Sequence, residues 1–178
     1  KIIVTHEAAV LEKIKTTTKP PPLPEKYAIY TGTAYPHKNL QHLIGLWSQV
    51  FVKTGVKLVI SSGRSIFSAK IETLIAKYQA QDAVVYKGYL SDKELAVAYT
   101  YAQAYVFPTL AEGFGIPGLD AMKFNLPVVC SDLAVLREIY GPAAAYFNPL
   151  NTDDMTKKIV SVLTDEKLRA KLITAGKT

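Results

Sequence analysis

The stretch between residues 105 and 126 carries the groups best suited to chemistry: a β-branched and aromatic run, a loop with one carboxylate (Glu112), and a glycine-rich turn. A helical pattern begins at that turn and contains a second carboxylate, Asp120. The first N–H groups of a helix have no partner within the helix, so a glycine-rich turn at this point predicts an anion site. Carboxylates repel phosphate but bind hydroxyl groups by charge-assisted hydrogen bonds. The combination predicts a ligand with phosphate and many hydroxyls, and a nucleotide sugar fits that description.

The three glycines of the turn, Gly113, Gly115 and Gly118, satisfy the pattern G-x-G-x-x-G. In a dinucleotide site this pattern belongs to the first strand–helix turn, with an acid about 20 residues further on. Here it follows the fourth predicted strand, which disfavours a nicotinamide or flavin site. We interpret the glycines as an anion cradle of another type. The alternative is that they serve only a tight turn.

Lys38 lies beside His37, at the start of the first predicted helix. A lysine near a helix N-terminus opposes the helix dipole, and a bound anion would reverse that cost. Lys38 is therefore predicted to be a phosphate ligand, with His37 as a second candidate, against the alternative of solvated side chains. Tyr89, after Gly88, would form either an edge of a base pocket or a cover for the end of the sheet.

No metal site is predicted. His6 and His42 lack ligand spacing, and no D-x-D pair is available to hold a divalent ion on a diphosphate. The adjacent acids Asp153 and Asp154 are predicted to cap a helix instead.

Short apolar runs alternate with helical patterns along most of the chain, which predicts crossover units and a parallel sheet covered on both faces. The fold class is therefore α/β, a Rossmann-like doubly wound parallel sheet of about six strands. In such a sheet ligands bind at the carboxyl ends of the strands. The predicted strands span residues 27–30, 57–61, 83–87, 105–107, 127–130 and 144–147. The predicted helices span residues 39–52, 68–79, a segment capped by Ser91 with Glu94, the segment after the glycine turn, 133–140, 153–163 and 165–174.

Size and composition favour one well-buried domain. The chain has 178 residues, a net charge of +6 and one cysteine, and that single cysteine suits a reducing compartment. Residues 1–25 are predicted to be an N-terminal segment, with a weak helical pattern through Ala8, Leu11 and Ile14, followed by a proline-rich linker (16–24). Residues 26–178 are predicted to be the folded domain. The scattered basic surplus indicates a solvated surface rather than a nucleic-acid site.

Several ordered motifs together resemble one family. The chain is similar to the C-terminal, donor-binding domain of the retaining GT-B glycosyltransferases of family 4, the group 1 glycosyl transferases, and the likeness extends over residues 27–176. The motifs that carry it are Y-x-G…P-H-K-N-L (30–40), L-V-I-S-S-G (58–63), G-Y-L-S-D-x-E-L (88–95), E-G-F-G-I-P with D-A-M (112–122), and P-V-V with S-D (127–132).

The resemblance implies roles for individual residues. Glu112 would contact the hydroxyls of the donor sugar, and Asp120 those of the ribose. Lys38 would neutralise the diphosphate, so that Glu112 and Lys38 are the catalytic pair. The remaining donor-binding positions are Gly32 and His37 in the loop with Lys38, Gly88 and Tyr89 beside the nucleobase, and Gly113, Phe114, Gly115 and Ile116, whose backbone would contact sugar and diphosphate.

Two positions depart from the family pattern. The second acid is Asp120, where the family has a longer glutamate. No arginine accompanies Lys38: His37 precedes it, and Arg64, after the second predicted strand, is a candidate for the missing charge.

The function implied by the resemblance is transfer of a hexose from a nucleoside diphosphate sugar to a glycan or lipid-linked acceptor, with retention of configuration. The chain would be one half of a GT-B fold, would require no cofactor or metal, and would need an N-terminal acceptor domain, so that alone it would bind donor without transferring it. We expect a cytoplasmic protein, with peripheral contact at the inner face of the membrane through the full-length protein, and no nucleic-acid partner. The alternatives are a sugar-nucleotide epimerase, a nicotinamide oxidoreductase and a non-catalytic Rossmann-like binding module.

Overall fold

The computed structural model describes residues 9–13 and 23–177, in which strands and helices alternate along the chain. The strands are β1 (Tyr27–Thr31), β2 (Lys57–Ser61), β3 (Val84–Gly88), β4 (Tyr105–Phe107), β5 (Val128–Ser131) and β6 (Ala144–Phe147). The helices are α1 (Leu40–Thr54), α2 (Ile71–Lys77), α3 (Asp92–Tyr101), α4 (Ile116–Lys123), α5 (Ala134–Tyr140), α6 (Thr152–Thr164) and α7 (Glu166–Ala175).

The six strands form one parallel sheet in the order β3-β2-β1-β4-β5-β6. Every residue of β1, β4 and β5 is buried, which requires cover on both faces of the sheet. Leu43, Ile44 and Trp47 of α1 are fully buried, as the apolar stripe of that helix predicts. The predicted fold class, a Rossmann-like doubly wound sheet, is confirmed.

The connection between β1 and β4 determines where the site lies. Ile29 of β1 pairs with Tyr105 of β4, and the Ile29 amide donates to the Ala104 carbonyl at 2.9 Å. From β1 the chain continues towards β2 and β3, whereas from β4 it continues towards β5 and β6. The loops that follow β1 and β4 therefore leave the sheet in opposite directions and open a crevice between them, the usual ligand position in this kind of sheet.

Local capping explains where two helices begin. Ser91 and Glu94 form the predicted capping box at the start of α3. The predicted cap of α6 is wrong: Asn151 is the N-cap, and its side chain accepts from the Asp154 amide at 3.0 Å. Asp153 and Asp154 instead occupy the first turn, where their charge complements the helix dipole.

The helix predicted over residues 68–79 is shorter at both ends. Residues 68–70 form a 3-10 turn before α2, because Ser65 and Ser68 bond to each other's backbone amides at 3.0 and 2.7 Å and compete with helical hydrogen bonds. At the other end, the backbone of Gln79 is left-handed, with a φ of 51°, which ends the helix.

Residues 9–13 form no helix, so that part of the predicted N-terminal helical pattern is wrong; its other residues, Ala8 and Ile14, lie outside the described residues. Leu11 is only 7% exposed and belongs to the hydrophobic core. Most of the proline-rich stretch (16–22) also lies outside the described residues. The division at residues 25 and 26 stays a prediction.

Within 9–13 and 23–177, none of the helices has the length and apolar character needed to cross a membrane.

The single cysteine provides a test of the fold. Cys130 lies in β5 with no exposed surface, and burial raises the pKa of its thiol well above the usual range. Because the thiolate is the reactive form, we expect the native protein to resist alkylation at pH 8 and the unfolded chain to react with one equivalent. The measurement is the labelling rate in buffer and in guanidinium. Rapid labelling of the native protein would contradict the placement of β5.

Candidate functional site

The loops that follow β1 and β4 are joined by hydrogen bonds through one carbonyl. The His37 carbonyl accepts from the Leu110 amide at 2.6 Å and from the Thr109 hydroxyl at 3.2 Å. Thr109 is fully buried, so these contacts are shielded from water. They hold the 3-10 turn Pro36–Lys38 against the loop that carries Glu112.

Lys38 and Glu112 form an ion pair across the crevice. Lys38 Nζ donates to Glu112 Oε2 at 2.6 Å, and the two side chains are 14% and 16% exposed. Glu112 Oε1 also accepts from the Gly113 amide at 3.2 Å, and the Lys38 ammonium lies 5.4 Å from the centroid of the Phe107 ring. The two residues predicted to be catalytic are thus brought together, but as partners of each other.

The glycine turn presents unpaired amides at the start of α4. The helix begins at Ile116, with Pro117 in its first turn as predicted, and Gly115 is the N-cap with a φ of 94°. The Gly118 amide donates to the Gly115 carbonyl at 3.0 Å. In the described part of the chain, the amides of Phe114, Gly115 and Ile116 donate to no acceptor. Free amides at a helix N-terminus are the kind of donor that binds phosphate, so the predicted anion site stays a prediction that this geometry allows.

Tyr140, at the end of α5, packs against the glycine turn that precedes α4. Its hydroxyl donates to the Gly115 carbonyl. A Cβ at Gly115 would lie 3.0 Å from Tyr140 Cζ and 2.8 Å from Leu136 Cδ2, and a Cβ at Gly118 would lie 3.0 Å from Tyr140 Cε2 and closer still to its hydroxyl. Two of the three glycines are therefore required for packing against Tyr140. Gly113 has no such neighbour.

Asp120, in α4, already has partners in this structure. Its Oδ1 accepts from the amides of Val10 and Leu11, at 2.7 and 2.8 Å. The carboxylate predicted to bind ribose therefore already binds the segment at residues 9–13 through one of its oxygens.

The other predicted binding residues lie at the ends of β1, β2 and β3 or in the loops that follow them. His37 is exposed, and its ring stacks on Tyr35 with the ring centroids 6.0 Å apart. Gly32 directly follows β1 and has a φ of 139°, and Gly88 is the last residue of β3 and has a φ of 67°. Tyr89 is 71% exposed and follows β3, which is two strands, or roughly 10 Å, from β1. Arg64 is exposed.

Buried tyrosines brace the loops from the sheet side. The Tyr30 hydroxyl donates to the Thr33 carbonyl at 2.7 Å, and the Tyr105 hydroxyl donates to the Thr31 carbonyl at 3.2 Å. The Tyr99 hydroxyl lies 2.6 Å from Thr31 Oγ1. Burial raises the pKa of Tyr30, Tyr99 and Tyr105, so these hydroxyls stay protonated and keep donating.

Two further features bear on ligands. Across the described ranges, no three His, Cys, Asp or Glu side chains are grouped so that they could hold a metal ion.

A cleft of about 540 Å³ lies between α1 and α2, and Tyr35, Phe67 and Tyr78 line it. Lys38 and Glu112, which pair with each other, do not line this cleft.

Three contacts were not predicted from the sequence: the pairing of Lys38 with Glu112, the support from Tyr140, and the docking of residues 9–13 on Asp120. Each joins residues 25 or more positions apart. From the spacing E-G-x-G one could have predicted that a side chain does not fit at the glycines. The spacing does not identify Tyr140 as the residue that occupies the space.

Replacing Gly118 tests the packing under the turn. Alanine is the better helix former by about 1 kcal/mol, so propensity alone predicts that Gly118→Ala stabilises α4. The overlap with Tyr140 predicts the opposite, a loss of about 1–3 kcal/mol in the free energy of unfolding. Gly113→Ala, with open space around its Cβ, is the matched control and should cost nothing. Denaturant unfolding followed by the fluorescence of the buried Trp47 measures both, and a stabilised Gly118→Ala would contradict the arrangement.

Curated relatives of the chain include two O-antigen chain mannosyltransferases. It is 32% identical over 145 residues to the O-antigen chain mannosyltransferase B of Escherichia coli, covering 80% of this chain and 38% of that protein. It is 34% identical over 128 residues to the O-antigen chain mannosyltransferase RfbU of Salmonella typhimurium strain LT2, covering 70% of this chain and 35% of that protein. The chain thus spans little more than a third of the length of these relatives.

Solved structures with the same fold include a sucrose-phosphate synthase from Thermosynechococcus elongatus, with a TM-score of 0.76 and 25% identity over 87% of this chain and 41% of that one. The C-terminal domain of a glycosyl transferase group 1 family protein, LpcC, from Francisella tularensis has a TM-score of 0.74 and 21% identity, over 86% of this chain and 84% of that domain.

The model of one family matches residues 13–178, which is nearly the whole chain. That family is described as glycosyl transferases group 1. Together with the curated relatives, this match shows that the chain belongs to the group 1 glycosyl transferases.

Proposed function

We propose that this chain is the donor-binding half of a retaining glycosyltransferase, which moves a hexose from a nucleoside diphosphate sugar to a glycan or lipid-linked acceptor. The observation that carries the proposal is the Lys38–Glu112 pair at the β1–β4 crevice, next to three amides that have no acceptor in the described chain. A cation and open amides suit a diphosphate, and carboxylates suit sugar hydroxyls. Retention of configuration and assignment to family 4 are proposed from the sequence resemblance.

Mannose is the first hexose to test, because both curated relatives described above are named mannosyltransferases. We propose that the acceptor is bound by a part of the protein outside these 178 residues, since the relatives are much longer. We also propose a cytoplasmic location at the inner face of the membrane, in keeping with the O-antigen chains for which those relatives are named.

In the proposed mechanism Lys38 exchanges partners. In the free protein its charge is balanced by Glu112, and in the complex it would be balanced by the diphosphate. This exchange keeps the Lys38 ammonium, which is 14% exposed, paired with a negative charge in both states. Glu112, once released, would accept hydrogen bonds from hydroxyls of the donor sugar.

Bond cleavage would then be assisted by charge stabilisation. As the sugar separates from the diphosphate, negative charge grows on the leaving phosphate. Lys38 and the amides of residues 114–116 would stabilise that charge, with each charge-assisted contact contributing about 1.5–3 kcal/mol. No side chain near the crevice is proposed as a nucleophile.

Nucleotide titration tests the donor site. We expect one of GDP, UDP and ADP to stabilise the 178-residue chain against heat, and NAD to have no effect, because binding to the native state raises the melting temperature. Lys38→Ala should weaken that nucleotide roughly 10- to 100-fold through loss of one charge-assisted contact. Lys53→Ala, at an exposed position in α1, is the control. Stabilisation by NAD alone, or by none of the four, would contradict the proposal.

Glu112→Gln tests the exchange of partners. The glutamine keeps the shape but no longer balances Lys38, so a nucleoside diphosphate without sugar should bind more tightly, by roughly two- to fivefold, about 0.5–1 kcal/mol. The corresponding nucleotide sugar should gain less, because it also loses the carboxylate that binds its hydroxyls. Calorimetric titration of both ligands measures the difference. Glu72→Gln, at an exposed position in α2, controls for the change in net charge.

Equal weakening of both ligands by Glu112→Gln would show that Glu112 does not compete for Lys38, and would leave the charge exchange without support.

A further inference from the structure

Residues 9–13 lie on the donor side of the fold, far in sequence from what they contact. The amides of Val10 and Leu11 both donate to Oδ1 of Asp120, at 2.7 and 2.8 Å, although the partners are 110 and 109 positions apart. Two amides on one carboxylate oxygen form charge-assisted hydrogen bonds, which are stronger than bonds between neutral groups. The strength of the contact therefore depends on the charge of the Asp120 carboxylate.

Side-chain burial anchors this segment independently of the carboxylate. The side chain of Leu11 is buried in the core, whereas Val10 is 72% exposed. The Val10 amide can thus be removed without emptying any part of the core. The hydrogen bonds and the packing of the segment can be tested separately.

One oxygen of Asp120 stays available. Among the residues that the structure describes, Oδ2 accepts no hydrogen bond, and the side chain is partly exposed. Because Oδ1 is held by two amides, the rotation of the carboxylate is restricted and Oδ2 is held in one direction. A ligand hydroxyl that binds a fixed acceptor loses less free energy to ordering than one that binds a mobile acceptor.

We propose that residues 9–13 are a positioning element of the donor site: by holding Asp120 Oδ1 they orient Oδ2 towards the ribose hydroxyls of the nucleotide. The proposal rests on the proposed function in that it places a nucleotide at Asp120. Coupling between two binding events is reciprocal. Docking of the segment therefore strengthens nucleotide binding, and nucleotide binding strengthens docking of the segment to the same extent.

The segment also accounts for the shorter acid at this position. The carboxylate of Asp120 reaches the Val10 and Leu11 amides from α4 at normal hydrogen-bond distances. A glutamate would carry its carboxylate one methylene further from the helix. An aspartate here suits the closeness of the segment.

Val10→Pro tests the proposal, with Val10→Ala as the matched control. Proline removes the amide hydrogen that Asp120 accepts, and alanine keeps it while removing the exposed side chain. In the 178-residue chain we expect Val10→Pro to bind the preferred nucleoside diphosphate about 5-fold more weakly, near the lower limit of typical coupling, and Val10→Ala to bind it unchanged. Inorganic pyrophosphate, which has no ribose, should bind all three proteins equally.

Hydrogen exchange provides the reciprocal measurement. In the wild-type chain, added nucleotide should slow exchange at the Leu11 amide, and pyrophosphate should not. If Val10→Pro fails to fold by Trp47 fluorescence, the wild-type exchange measurement decides: exchange at the Leu11 amide that nucleotide leaves unchanged would overturn the coupling.

The outcomes separate the two proposals. Unchanged nucleotide affinity in Val10→Pro, with faster exchange at Leu11, would overturn the coupling and leave the donor site standing. Equal weakening of nucleotide and pyrophosphate would also overturn it, because the effect would not involve ribose. A wild-type chain that binds neither ligand would overturn the proposed function and the coupling together.

Discussion

The parallel pairing of β1 with β4 is the constraint on which the site depends. A single register, Ile29 opposite Tyr105, places two strands that are distant in sequence side by side. Because their connections leave in opposite directions, the following loops separate at the edge of the sheet and leave a crevice. Lys38 and Glu112 meet there, 74 positions apart in the chain. A shift in the β1–β4 register would separate them.

Neutral hydroxyl groups, rather than charges, hold the walls of this crevice. Tyr30, Tyr105 and Tyr140 donate to carbonyls of the surrounding loops, and burial raises the pKa of all three. A neutral donor braces a loop without adding a net charge. The charges at the crevice are thereby left to Lys38 and the two acids. Rigid positioning and electrostatic function are assigned to different side chains.

Much of the fold could be predicted from local patterns. Short apolar runs gave six strands within a residue or two of their observed bounds, and Ser91 with Glu94 gave the start of α3, because these signals act between near neighbours. The start of α6 was misassigned, since Asn, Asp and Asp all suit a cap and only geometry decides that Asn151 serves. The glycine turn and its two acids could be located from residue types. Their partners could not, because Tyr140, Val10 and Leu11 approach the site only through the tertiary fold.

The space shared by Gly115, Gly118 and Tyr140 has an evolutionary consequence. A side chain at position 118 fits only if the residue at position 140 is shorter, and a shorter residue at 140 removes the hydroxyl that holds the Gly115 carbonyl. A single substitution in this group therefore loses either volume or a hydrogen bond, and a viable alternative requires coordinated changes. Among related sequences, the residues at positions 115, 118 and 140 should therefore change together or not at all. Gly113, with open space around it, is free to change on its own wherever its backbone alone serves the ligand.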